Sequence, residues 1–189
     1  PDSNAAHLGA DDNASGVGAL LEVAKQLTDA KATLPRDVVF VAFSGEETGV
    51  LGSSALVLAK PAWLEGAWGM LNLDMVGRLR ANRLQLLGSE SALEWKGLVD
   101  AACLKARVDC EPSGDGYGPS DHMPFYTAGV PVLHLFSGAH SDYHKPSDTP
   151  DTLNYTGVAE AAQVVTELAL SASGGSFTYQ KLAAPVRGD

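Results

Sequence analysis

At 189 residues, 45% of them hydrophobic, the chain is long enough for one sizeable core, and no apolar run reaches the length of a membrane span. Thirteen basic residues against 23 acidic ones leave a formal charge of −10, which argues against nucleic acid as a partner. The acidic excess serves solubility, or it marks acids that converge on bound cations. The opening, "PDSNAAHLGADDNASG", is a polar loop with no element before it, so a chain cut from a longer parent is expected.

Helix and strand signals alternate along the rest, the pattern of an α/β fold. A helix beginning near Ser15 is expected to bury Val17, Leu20, Leu21, Ala24 and Leu27. Residues 37–43, "DVVFVAF", are β-branched and continuously apolar, as expected of a strand covered on both faces. A helix over 50–60 comes next, ended by Pro61. "AWGMLNLDM" (67–75) reads as a second buried strand that ends on Asp74, and the alternating "NRLQLLG" (82–88) as a strand nearer the sheet edge. Residues 91–106 form the next expected helix, with Leu93, Leu98 and Ala101 inward.

Cys103 and Cys110 match no zinc-binding spacing and read as core cysteines or as a local disulfide. A Gly-rich loop over 113–122 leads to a short helix near 124–127, a third apolar strand over 130–137 and a loop over 140–152. The last helix, 154–173, carries Val158, Ala162, Val165 and Leu168 inward. The C-terminal stretch after it lacks periodicity, so a domain over 1–172 and a tail or linker over 173–189 are expected. The predicted architecture is a three-layer α/β sandwich, with a mixed, mainly parallel sheet and helices on both faces.

The polar exceptions fall at the ends of apolar runs. Asp11 and Asp12 precede the first helix, Glu46 and Glu47 follow one strand, Asp74 ends another, and His140 and His144 follow the third. Ligands of open α/β sheets bind outside the carboxyl ends of the strands, so these groups are expected to meet at one edge. Adjacent glutamates repel unless a positive charge sits beside them. A divalent cation is the simplest such charge, since carboxylate and imidazole are normal zinc ligands. One glutamate can then bind the metal while its neighbour acts as a base. Asp11 reads as a helix cap, Arg78 as a counter-ion for Asp74, His122 and His134 as structural, and His140 as a loop residue rather than a ligand.

Five stretches, "GADDNASG" (9–16), "FSGEETGVLGS" (43–53), "LNLDMVGR" (71–78), "GYGPSDHMPF" (116–125) and "HSDYHKPSDTPDT" (140–152), resemble in order the motifs of M28-type zinc aminopeptidases, co-catalytic di-zinc exopeptidases. The resemblance implies that the Asp12 carboxylate bridges two zinc ions and that the Asp12–Asn13 bond is cis. It implies Glu47 and His144 on the first zinc, Asp74 on the second, Glu46 as general base, and Tyr117 as donor to the oxyanion. Peptide or protein N-termini would be the substrate, further domains are possible in the parent, and a secreted or periplasmic location is expected.

One family element departs. The upstream H-x-D motif that supplies a further zinc-binding histidine has no match, and His7 is the lone histidine before Asp12. Either that segment lies outside this chain, or the chain works with one well-held zinc. The alternatives are a glutaminyl-cyclase-like acyl transferase with one zinc and a non-catalytic peptidase-like binding domain. A carboxylate-pair glycosidase ranks behind both, and no G-x-S-x-G elbow supports a serine triad.

Overall fold

The computed structural model describes residues 5–30, 34, 36–171 and 176–184. Its strands form one mixed sheet: β1 (Met70–Leu73), β2 (Arg83–Leu87), β3 (Asp109–Ser113) and β4 (Val132–Phe136), in the order β1-β4-β2-β3. β1 runs parallel to β4 and β2 parallel to β3, while β2 and β4 are antiparallel. The α-helices among the described residues are α1 (Gly16–Asp29), α2 (Leu51–Ala59), α3 (Trp95–Ala106), α4 (His122–Thr127) and α5 (Tyr155–Ser171).

Successive side chains of a strand point to opposite faces, and β4 shows how both faces are used. Leu133 and Leu135 join Val23 of α1, Val99 of α3 and Leu168 of α5 in the larger core. Val132 packs with Phe125 and Tyr126 of α4 on the other side, where His134 stacks on His122 with ring centroids 4.7 Å apart. The chain therefore forms the expected α/β sandwich, with helices on both faces of a mixed sheet.

Two helices bury a different face from the one their large residues mark. In α1 the buried residues are Gly16, Ala19, Val23 and Leu27, while Val17 and Leu21 are exposed. The start of α1 is pressed onto the end of β1, and a Cβ on Gly16 would collide with the Leu73 carbonyl and the Asn13 side chain. Small residues permit that approach, so they turn inward ahead of larger ones. In α3 the inward residues are Trp95, Val99, Ala102 and Cys103, while Leu93 and Ala101 lie in solvent. Trp95 sets the rotation: its Nε1 donates to Ser91 Oγ at 3.0 Å, and its ring packs against Trp68 and Phe177. α5 buries Ala162, Val165 and Leu168 as expected.

The strands differ from expectation in three places. β2 lies between β4 and β3 rather than near an edge, with Leu84 and Leu86 fully buried. The outer strand beside β2 is β3, "DCEPS", whose polar residues and Pro112 hide it in the sequence; an edge position tolerates both. Residues 37–43 form no strand. Val38, Val39 and Phe40 are 39%, 50% and 40% exposed, and no described residue pairs with them in a ladder. They line a cavity of about 590 Å³ together with Met70 and Leu71 of β1.

A disulfide joins Cys103 near the end of α3 to Cys110 in β3. The expected domain boundary at 172–173 lies outside the described residues. Beyond it, Phe177 packs on Trp68 and Trp95 at 3.9 and 4.3 Å between centroids, and the Tyr126 hydroxyl donates to the Gln180 carbonyl at 3.0 Å.

Candidate metal centre

Four separate segments deliver carboxylates and imidazole to the carboxyl end of β1 and β4. The loop before α1 carries Asp12, and its Asp12–Asn13 bond is cis, as the motif implies. The Asn13 amide clamps this loop to the end of β1: Nδ2 donates to the Leu73 carbonyl at 2.9 Å, and Oδ1 accepts the N–H groups of Gly16 and Met75 at 3.0 and 3.2 Å. Glu46 and Glu47 sit in the turn before α2, Asp74 directly follows β1, and His144 lies in the loop after β4.

Asp12, Glu47 and His144 come together. His144 Nε2 lies 3.0 Å from both carboxylate oxygens of Glu47 and 3.1 Å from Asp12 Oδ2. One ligand-type atom from each of the three falls within 4.8 Å of the others, a donor set suited to a metal ion. Asp74 Oδ2 accepts the Ser120 hydroxyl at 2.6 Å, while Asp74 Oδ1 is buried with no hydrogen-bond partner. A buried carboxylate oxygen without a donor is unfavourable unless a cation faces it.

The electrostatics carry the same signature. Burial first, then the charges of Glu47 and Asp74, push the Asp12 carboxyl up to about 6. Burial, then Asp74 and Glu47, push Glu46 up to about 7. Asp74 is raised as well, mainly by burial. These acids suppress one another's ionisation, so the missing element is positive charge. Two carboxylates and an imidazole around an unsatisfied anionic cluster fit zinc.

Other residues fall where the sequence did not put them. The Tyr117 N–H donates to Asp115 at 2.7 Å, and its ring, partly buried, packs against the α4-side core and meets Tyr126 edge-on at 4.9 Å. Tyr143 is the tyrosine facing the carboxylates: its ring stacks on His144 at 3.8 Å, and after burial Asp12 and Glu47 push its phenol up. Its position next to His144 was the available signal. Asp11 is not a helix cap. Its wholly buried carboxylate accepts the Gly77 N–H at 2.6 Å and the Ser15 hydroxyl at 3.0 Å, and meets His140 Nε2 at 3.0 Å.

His140 is accordingly buried, although its loop reads as solvated. Arg78 pairs with Asp142 at 3.1 Å and Asp148 at 3.5 Å, not with Asp74. Asp121 adds a further half-buried carboxylate, which takes a 2.5 Å hydrogen bond from the Ser53 hydroxyl. His7 lines the 240 Å³ cavity over Asp12, Glu47 and His144 without joining the triad.

Fold and cluster define the class: an α/β protein with a divalent-metal donor set at the carboxyl end of its sheet. The sequence matches peptidase family M28 over residues 1–169, and the chain belongs to that family. It is 32% identical over 170 residues to aminopeptidase YwaD of Bacillus subtilis (strain 168), covering 84% of this chain and 36% of that protein. Its fold is similar to that of the LapA aminopeptidase of Legionella pneumophila, with a TM-score of 0.78 at 22% identity, covering 88% of this chain and 47% of LapA. It is also similar to BSAP, a zinc aminopeptidase from Bacillus subtilis, with a TM-score of 0.73 at 29% identity, covering 86% of this chain and 42% of that one. The chain spans less than half the length of each of these relatives.

Proposed function

We propose that this chain carries the metal centre of a zinc aminopeptidase that hydrolyses N-terminal peptide bonds, with residues 1–172 as the metallopeptidase unit. The observation that carries the reading is the approach of Asp12, Glu47 and His144 to within 4.8 Å in a member of family M28. Asp12, Glu47 and His144 would hold one zinc, and Asp12 with Asp74 would face a second. Bound there, zinc supplies Lewis acidity toward the scissile carbonyl and a water acidified to a pKa of ~7.

Glu46 is the general base. Next to the ligand Glu47, its carboxylate would take a proton from the attacking water and deliver it to the leaving amine. The oxyanion role of Tyr117 rests on its motif alone, whereas Tyr143 is a phenol stacked directly on His144. The carboxylates also attract the free α-amino group of the substrate, which favours cleavage from the N-terminus. A secreted or periplasmic location is supported by the Cys103–Cys110 disulfide, since such bonds persist in oxidising compartments.

The test is zinc content by elemental analysis after loading, together with hydrolysis of aminoacyl-nitroanilides. Bound zinc and turnover lost in Glu46→Ala support the reading. Release of pyroglutamate from glutaminyl peptides in place of free amino acids would identify the acyl transferase. Absence of zinc binding would sink the metal centre.

A further inference from the structure

Taking the zinc site above as premise, we infer that Asp148 is the positioning residue of that centre. Its buried carboxylate fixes the main chain that carries Asp12 and ties it to the loop that carries His144. Asp148 is 2% exposed. Both of its carboxylate oxygens accept the Asp11 N–H at 3.0 Å, and Oδ2 also accepts the Asp12 N–H at 3.0 Å. Its carbonyl accepts the Ala10 N–H at 3.3 Å, so three successive amides end on this one residue.

Asp148 follows His144 by four residues, and its own N–H donates to the Lys145 carbonyl at 3.1 Å. One short turn therefore holds an imidazole of the triad at one end and the backbone of the triad's aspartate at the other. The carboxylate keeps a counter-charge where water does not reach: Arg78 Nη2 lies 3.5 Å from Asp148 Oδ1, with the Arg78 side chain 11% exposed. Neither Asp148 nor Arg78 is a member of the triad.

The two segments are more than 130 positions apart in sequence, and these bonds set how Asp12 Oδ2 meets His144 Nε2. Residues that orient metal ligands in this way typically change metal affinity by about 10–100-fold when lost. Asparagine would keep the shape of Asp148 but aim an NH2 group at backbone N–H donors. Serine would remove the carboxylate without adding that donor clash.

The experiment is a zinc dissociation constant for the whole chain, measured by competition with a chromogenic chelator, alongside the melting temperature of the metal-free protein. It compares wild type, Asp148→Asn, Asp148→Ser and the remote core variant Val164→Ala. Asp148→Asn and Asp148→Ser are expected to weaken zinc binding by about 10–100-fold. Val164→Ala is expected to lower the melting temperature and leave the zinc constant within about twofold of wild type. If either folded Asp148 variant binds zinc within about twofold of wild type, the positioning role is overturned. So it is if Val164→Ala weakens zinc as much, because affinity would then follow stability alone. Wild-type protein that binds no zinc would overturn the zinc reading itself, an outcome visible before any variant is compared.

Discussion

Two apolar runs lead into the site, and the fold treats them in opposite ways. Residues 132–136 and 37–43 read alike in the sequence, as β-branched or aliphatic stretches that end at charged loops. Val132, Leu133 and Leu135 are fully buried: β4 has β1 on one edge and β2 on the other, and helices cover both of its faces. Val38, Val39 and Phe40 stay in solvent with no ladder among the described residues. Apolar character states that a segment would gain from burial; it does not by itself pair that segment with another strand.

The difference reaches the site. His140 and His144 leave a strand locked on both sides, whereas Glu46 and Glu47 leave a segment without sheet hydrogen bonds among the described residues. The glutamate pair is held from its other end. The Gly49 and Val50 N–H groups donate to the Glu46 carbonyl at 2.9 and 2.8 Å, and Ser53 in α2 reaches Asp121.

The largest expected effect sits in the locked run. Leu135→Ala should lower the unfolding free energy by about 2–5 kcal/mol in denaturant melts, the usual loss for an aliphatic core truncation. A loss under about 1 kcal/mol would erase the contrast with 37–43.

Next comes the proposed zinc, whose ligands follow both runs. Zinc at about 100 times its dissociation constant should add ~2.7 kcal/mol of stability over chelator-treated protein. Glu47→Ala, on the unladdered run, and His144→Ala, after the laddered one, should each abolish most of that gain. A gain that survives both would move the zinc elsewhere.

A smaller effect depends on pH. The Glu46 carboxyl has its folded-state pKa raised from 4.5 to about 7, so the folded state holds its proton more tightly than the unfolded chain. Between those values the unfolded chain binds fewer protons, so this group takes stability away as pH rises, with no further loss above about 7. In metal-free protein, Glu46→Gln should therefore melt close to wild type near the lower value and above it near neutrality. A melting difference that does not change with pH would remove Glu46 from the cluster. The smallest effect belongs to the exposed run: Val39→Ala should stay within about 0.5 kcal/mol of wild type.

Much of the site was legible because its chemistry lies in short motifs. The acids and imidazole stand where apolar runs stop, and Asp12, Glu47 and His144 meet as that placement implies. The residues around them were less legible. Asp11 reads as a helix cap, Arg78 as a partner for Asp74, and His140 and Asp148 fall in a stretch that reads as loop, since a buried polar network leaves no periodicity behind. Tyr143 lay beside an expected ligand, yet only its stacking on His144 separates it from any loop tyrosine.

By itself the sequence determined the α/β class, the helices expected within 15–30, 50–60, 91–106 and 154–173, the strands that end at Asp74 and before His140, and the residue types of the candidate metal centre. Those are local properties: spacing of apolar residues, chain breakers, and charges at the ends of hydrophobic runs. Tertiary structure decided which face of α1 and α3 turns inward, that "DCEPS" pairs and "DVVFVAF" does not, and that Asp148 rather than a nearer residue holds the Asp12 backbone. Each of those depends on what another segment places opposite. A contact between residues more than 130 positions apart is written in neither neighbourhood.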